Sequence, residues 1–290
     1  MNEILGAALA LACAFVTNIS FLYKHRGANT AAAVDVRRPL HSGRALFSQR
    51  MFALGMLIAG VAWILHVAAL AVAPMSIVQA ALAAGIVLLA IMAERMLGLR
   101  VSGREWVGVA LTAGGLALLA VTLPVVHGAH STYSVPAMIA FEAALAGFGT
   151  LLLLGPRFGA PRQHCGVMLA AAAGILFGVS DIAIKALTGA VGAHGLSGLI
   201  SPWLLMTVIA SIVAFFASAK SLQDGKPVPV IAVTSAAANV SGILGGIVVF
   251  RDPFSTHPLG IVFQTLAFLL VIFAAGMTPA PVRAVAPVAH

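Results

Sequence analysis

Asp181 and Lys185 stand four residues apart inside a stretch, 166–187, that is otherwise almost wholly apolar. On a helix that spacing puts acid and ammonium on one face, where they can pair. An ionisable side chain in hydrocarbon costs at least a few kcal/mol, so each one is a functional candidate. Two more titratable groups sit in similar runs, Glu142 within 134–155 and His66 within 51–72. Counted at 1.5 Å per residue from one shared face, Asp181 and His66 lie about 9 Å deep and Glu142 about 12 Å. The chemistry open to such a set is cation binding. His66, Glu142 and Asp181 would form a polar vestibule, and Lys185 an internal counter-ion that leaves when substrate or proton arrives. In the plainer alternative Lys185 snorkels to the interface and pairs with Asp181, while Glu142 and His66 satisfy neighbouring helices.

Asn18, Gln79, Asn239 and Gln264 are uncharged amides in the same kind of run, able to donate and accept. Asn239 falls near mid-membrane, the usual depth of a transporter site. Interhelical hydrogen bonding is the bland role for all four. Gly242, Gly245 and Gly246, with Gly114 and Gly115, favour close helix packing and would also suit a helix that bends. Glu94-Arg95 and Arg251-Asp252 are expected to pair locally at membrane edges. His127, His130, His194 and His257 fall on one side but on separate loops, so the metal-ligand set stays unknown and no cofactor is expected. Gly195-Leu196-Ser197-Gly198 resembles the nucleophile motif of rhomboid proteases. Its Ser has no base in reach except surface histidines, so a Gly-rich turn is the better reading and no enzyme is expected.

Helices must position these groups. Of 290 residues 61% are apolar and 8% charged, with a mean hydropathy of +1.07, which leaves a water-soluble fold no surface. The apolar residues come in blocks of about 20, the length that crosses a bilayer core as a helix. An open strand could not satisfy its backbone there. The expected spans are 3–23, 51–72, 75–94, 105–124, 134–155, 166–187, 199–219, 229–250 and 258–277. The first lacks a basic n-region, carrying Glu3 instead, and reads as an uncleaved helix rather than a signal. Cys13 and Cys165 give neither a disulfide framework nor ligand spacing. The net charge of +8 lies in short loops rather than on one face, so no nucleic-acid partner is expected.

Nine spans put the termini on opposite sides. With the amino terminus outside, 14 of the 16 Lys and Arg fall on the inner side, six of them in a loop at 24–50. The plasma (inner) membrane is the expected location, with a disordered cytoplasmic tail at 278–290. Two halves match: Val16-Thr17-Asn18-Ile19 with Lys24 following, and Val179-Ser180-Asp181-Ile182 with Lys185 following. A single fifth helix separates them, so matched helices run in opposite directions. The expected fold is all-α with an inverted four-plus-one-plus-four repeat. Residues 1–124 form the first repeat, 125–164 the linking helix and loops, and 165–277 the second repeat.

The stretch Trp63 to Leu119 resembles the drug/metabolite transporter (EamA-like) superfamily. It has an Ala-rich helix, Pro74, an apolar helix ending in Glu94-Arg95, a short basic loop, then Gly108 opening a helix through Gly114-Gly115. A weaker copy runs from Pro227 to Phe273, with Asp252 for Glu and Gly260 for the opening Gly. The nine-helix count, Lys24-His25-Arg26-Gly27 and Lys185 are similar to the NIPA-like magnesium-transporter branch and its bacterial relatives. That resemblance implies a central cavity between the repeats and alternating access. The expected function is transport of a small solute or cation, Mg2+ among them, by a protein whose partners are the bilayer, the solute and, as the assembly to test, a second copy in a homodimer. The alternatives are export of a small metabolite or amine, or a scaffold without transport.

Overall fold

The computed structural model describes residues 2–35, 38–75, 77–79, 81, 82, 85, 92, 103–122, 132–158, 164–252, 255 and 257–277. These residues are helical apart from short turns, with no strand among them. The helices are α1 Asn2–Thr30, α2 Pro39–Phe47, α3 Arg50–Val72, α4 Gly103–Thr122, α5 Val135–Leu154, α6 Cys165–His194, α7 Pro202–Asp224, α8 Pro227–Val248 and α9 Pro258–Met277. Among the described residues six stretches are long and apolar enough to cross a membrane: Ile4–Thr30, Arg50–Val72, Val135–Leu154, Cys165–Leu199, Pro202–Asp224 and Pro227–Val248. Within α4 and α9 only the shorter segments Trp106–Gly115 and Pro258–Ala267 are as apolar. Most of the expected third span, including Glu94-Arg95, lies outside the described residues, as do His127, His130 and the tail at 278–290.

Local chemistry sets the helix ends. Proline opens α2, α7, α8 and α9, and sits at the second residue of α5. Its missing N–H is lost without cost in a first turn. Ser201 caps α7 by accepting from the Trp203 amide at 3.2 Å. Pro74 ends α3 by forcing Ala73 into an extended conformation, φ −134° and ψ 159°.

The segment 24–50 departs from the expected loop. The α1 helix runs on to Thr30, and α2 fills 39–47. Three ties dock the turn between them. The Gln223 amide donates to the Ala28 and Ala32 carbonyls at 3.0 and 3.1 Å, its carbonyl accepts from Val34 N at 2.9 Å, and Ser42 closes on both backbone groups of Asp35. Hydropathy marked where the apolar run stops, whereas the helix continues through Lys24, His25 and Arg26 because their backbone bonds need no apolar side chain.

Side-chain contacts fix helix directions. Cys13 Sγ donates to Ala62 O and Ser20 Oγ to Gly55 O, at 3.1 and 2.9 Å, so α1 and α3 are antiparallel. His66 meets Asp181 and Leu70 meets Lys185, so α3 and α6 are parallel and α1 opposes α6. Ser180 bonds Ser211 at 2.8 Å, and Gly166 abuts Gly225 at the other end, making α6 and α7 antiparallel. Gly174 and Gly178 let α6 lie against α8. A Cβ on the first would strike the Thr234 carbonyl, and one on the second the Ser241 side chain. Small residues four apart bring membrane helices to contact this way. Gly242 and Gly245 likewise abut Gln79 and Ile182, while Gly114 faces open space.

Candidate functional site

The α6 helix is deeply buried, with Val179, Ile182, Ala183 and Lys185 in the interior. It carries Asp181 against α3. Asp181 Oδ1 lies 3.0 Å from His66 Nε2, and its Oδ2 accepts from Gln79 Nε2 at 3.1 Å. The His66 ring nitrogen is buried yet not aligned for a hydrogen bond, so this is a charge contact rather than a directed bond. Gln79 is fully buried, and its Oε1 has no hydrogen-bond partner among the described residues.

These three side chains form part of the wall of a cavity of about 640 Å³ lined by α1, α3, the helical residues Gln79, Leu82 and Gly85, α6, α7 and α8. Asn18 and Asn239 also line it. Asn18 Nδ2 donates to Gly85 O at 2.6 Å. Five of the seven expected substrate-binding residues, Asp181, His66, Gln79, Asn18 and Asn239, therefore share one space.

Lys185 and Glu142 are not among its lining residues. The expected Asp181–Lys185 pair is replaced. Lys185, fully buried, donates from Nζ to the Leu70 and Ala73 carbonyls at 2.7 and 2.9 Å, and Asp252 is the acid whose charge acts on it. Pro74 explains the replacement. By stopping α3 it leaves last-turn carbonyls without amide partners, and the negative end of the helix dipole attracts an ammonium. Lys185 thus caps α3 from α6. Asp252, expected at a membrane edge beside Arg251, is itself buried, whereas Arg251 is exposed with φ 57°.

Glu142 shares with Met138 and Gly149 the face of α5 that packs on α6. It is 1% exposed, and neither carboxylate oxygen has a hydrogen-bond partner among the described residues. The His66–Glu142–Asp181 vestibule is therefore a His66–Asp181 pair with Glu142 apart from it. Gln264 is glue, donating to Thr122 O at 2.9 Å and accepting from Ser255 N at 3.3 Å to join α9 to α4.

Two sets of lining residues escaped the sequence reading. Lys24, placed in a loop, belongs to α1 and lines the cavity with its Nζ 4.1 Å from the Phe21 ring centroid. The hydroxyls of Thr207, Ser211 and Ser218 face the cavity from α7. Their spacing of four and seven residues on one helix face was the available signal. Ser197, in the protease-like tetrapeptide, sits in a 3-10 turn, Gly195–Leu199, and donates to His194 O at 2.8 Å. Among the described residues neither Cys13 nor Cys165 is in a disulfide, and no three His, Cys, Asp or Glu side chains gather to hold a metal.

Comparison with curated proteins and with solved structures returns no match. Family comparison does: residues 1–280 match the family described as Magnesium transporter NIPA, within the EamA-like drug/metabolite transporter superfamily. A match over nearly the whole of a multi-pass chain whose half-buried Asp181 lines an internal cavity leads to one conclusion: the chain belongs to the NIPA magnesium transporter family and is a membrane cation transporter.

Proposed function

We propose that the chain moves Mg2+ through this cavity by alternating access, with Asp181 as the charge that holds the ion. The observation that carries the reading is the Asp181 carboxylate, set against His66 and Gln79 in the wall of an internal cavity that Asn18 and Asn239 also line. Mg2+ demands oxygen ligands and dehydrates reluctantly, so it is held by one or two carboxylates through retained waters. Six waters at about 30 Å³ each fill about 180 Å³, well within the cavity. The Asn18 and Asn239 amides offer acceptors to those waters. His66 neutralises Asp181 as imidazolium when the ion is absent and yields when it arrives. Lys185 and Glu142 act from outside the cavity wall, Lys185 by latching α6 to α3.

The nine-helix, inverted-repeat architecture belongs to the same proposal, with residues 1–124 and 165–277 as the repeats and 125–164 as the link. Supporting it, α1 opposes α6, α3 and α1 are antiparallel as α7 and α6 are, and α8 runs parallel to α6. The helix directions also bring Arg26, Arg50, Lys220 and Lys226 to one end of the bundle, which the positive-inside rule assigns to the cytoplasm. The amino terminus is then outside and the membrane the plasma membrane.

Uptake by purified protein in liposomes tests the function, with a panel of Mg2+, other divalent ions, amines and amino acids. Saturable Mg2+ entry is expected. Transport of an amine or amino acid with none of Mg2+ would overturn the assignment.

A further inference from the structure

Cation passage accounts for the polar end of the cavity but not for the rest of its wall, where Phe21, Phe52, Met56, Phe177 and Phe215 face inward. Nor is that part sealed from outside. Gly60 and Trp63 on α3, and Val208 and Ile212 on α7, line the cavity and are also exposed on the molecular surface, Trp63 by 54% and Ile212 by 53%. The side opening lies between these two helices. His66 pairs with Asp181 and Ser180 with Ser211, which sets Trp63 and Ile212 at about the same depth. Toward the basic end α3 and α7 do touch, through the Phe52 and Phe215 rings with centroids 6.0 Å apart and Phe47 beside both. Beyond that aromatic clasp the helices part.

We infer that this gap is a lateral portal through which one acyl chain of a bilayer lipid enters and fills the apolar part of the cavity. Both flanking helices are of spanning length and apolarity, and the rim lies in their middle, so hydrocarbon is what borders it. Beyond Lys24 and the few hydroxyls, water finds no hydrogen bonds along these rings, whereas an alkyl chain loses no hydration by entering. Gly60 keeps the rim open, since a Cβ there would meet nothing within 4 Å. The seated chain packs beneath the His66–Asp181 pair and narrows the route left for an ion.

Phosphatidylcholine with a diazirine midway along one acyl chain tests this. The full-length protein is reconstituted with it, irradiated, and its labelled residues are mapped by mass spectrometry. Label on Phe21 of α1, buried from the outer surface, is expected beside label on the outward Leu57, Ile64 and Ile209. Gly60→Phe, which adds bulk at a rim position where a Cβ meets nothing within 4 Å, should cut the Phe21 label several-fold and leave the outward label unchanged. Label confined to outward residues, as a sealed cavity or a second copy covering the gap would give, overturns the inference. So does Phe21 label that Gly60→Phe does not reduce. Neither outcome bears on Mg2+ transport, which the liposome assay reads separately.

Discussion

Replacing Asp181 by Asn removes one charge and little else. Asn Oδ1 can still accept from Gln79 Nε2, now at 3.1 Å from the carboxylate, and the volume is unchanged. The variant should insert and fold. What is lost is the attraction of a half-buried carboxylate for a cation, at most the roughly 2–5 kcal/mol lost when one member of a fully buried charge pair is removed, since the Asp181 side chain is 17% exposed. At about 1.4 kcal/mol per factor of ten, that corresponds to a loss of about 30-fold to a few thousandfold in Mg2+ affinity or flux. Part is returned, because Asp181 no longer has to give up its contact with His66 at 3.0 Å before the ion binds, so the lower end is expected. The assay is initial Mg2+ entry into liposomes read by an enclosed Mg2+-sensitive dye, with thermal unfolding of the same preparation as control. Asp181→Asn that melts with the parent and transports within a factor of two or so of it would refute the reasoning and leave Asp181 a structural partner of His66 and Gln79.

Other outcomes follow from the same geometry. Lys185→Met leaves the Leu70 and Ala73 carbonyls and the Asp252 charge without their cation and should cost about 3–5 kcal/mol of stability, read as a lower melting temperature; a parent-like melt would mean that α3 is not capped from α6. Imidazolium at His66 competes with Mg2+ for Asp181, so acidification should slow uptake by the parent and much less that by His66→Gln. An equally steep pH profile in both proteins would remove His66 from the ion's path. Sidedness is read by a single cysteine at Leu40, which is 90% exposed, rather than at Ser42, which is buried; strong labelling from outside intact cells would invert the topology.

Composition and block length made the helices legible because a bilayer imposes one length and one polarity on whatever crosses it. For the same reason α3, α5 and α9 begin and end within a residue of the runs read from hydropathy. Hydropathy failed where backbone bonding outlasts the apolar run. It missed the last two turns or so of α1, the whole of α2, and hence the place of Lys24 in the cavity wall. Site residues were legible by type, since an acid, an imidazole or an amide in an apolar run demands a partner. The partner itself was not, and i, i+4 spacing gave Asp181 to Lys185 when both had better choices on α3.

Those choices rest on contacts between residues far apart in the chain. Pro74 leaves carbonyls open at the end of α3, Gly174 and Gly178 seat α6 against α8, and together they bring Lys185 to Leu70 and Asp181 to His66. By itself the sequence determined that the chain is a bundle of spanning helices with a few costly polar groups inside, because burial in hydrocarbon acts on each residue separately. Only the tertiary structure decided which groups share a cavity, which cap a helix, and that Glu142 stands apart. A side chain with several partners within reach of its helix face takes the one whose own backbone or charge is otherwise unsatisfied, and that is known only once the helices are packed.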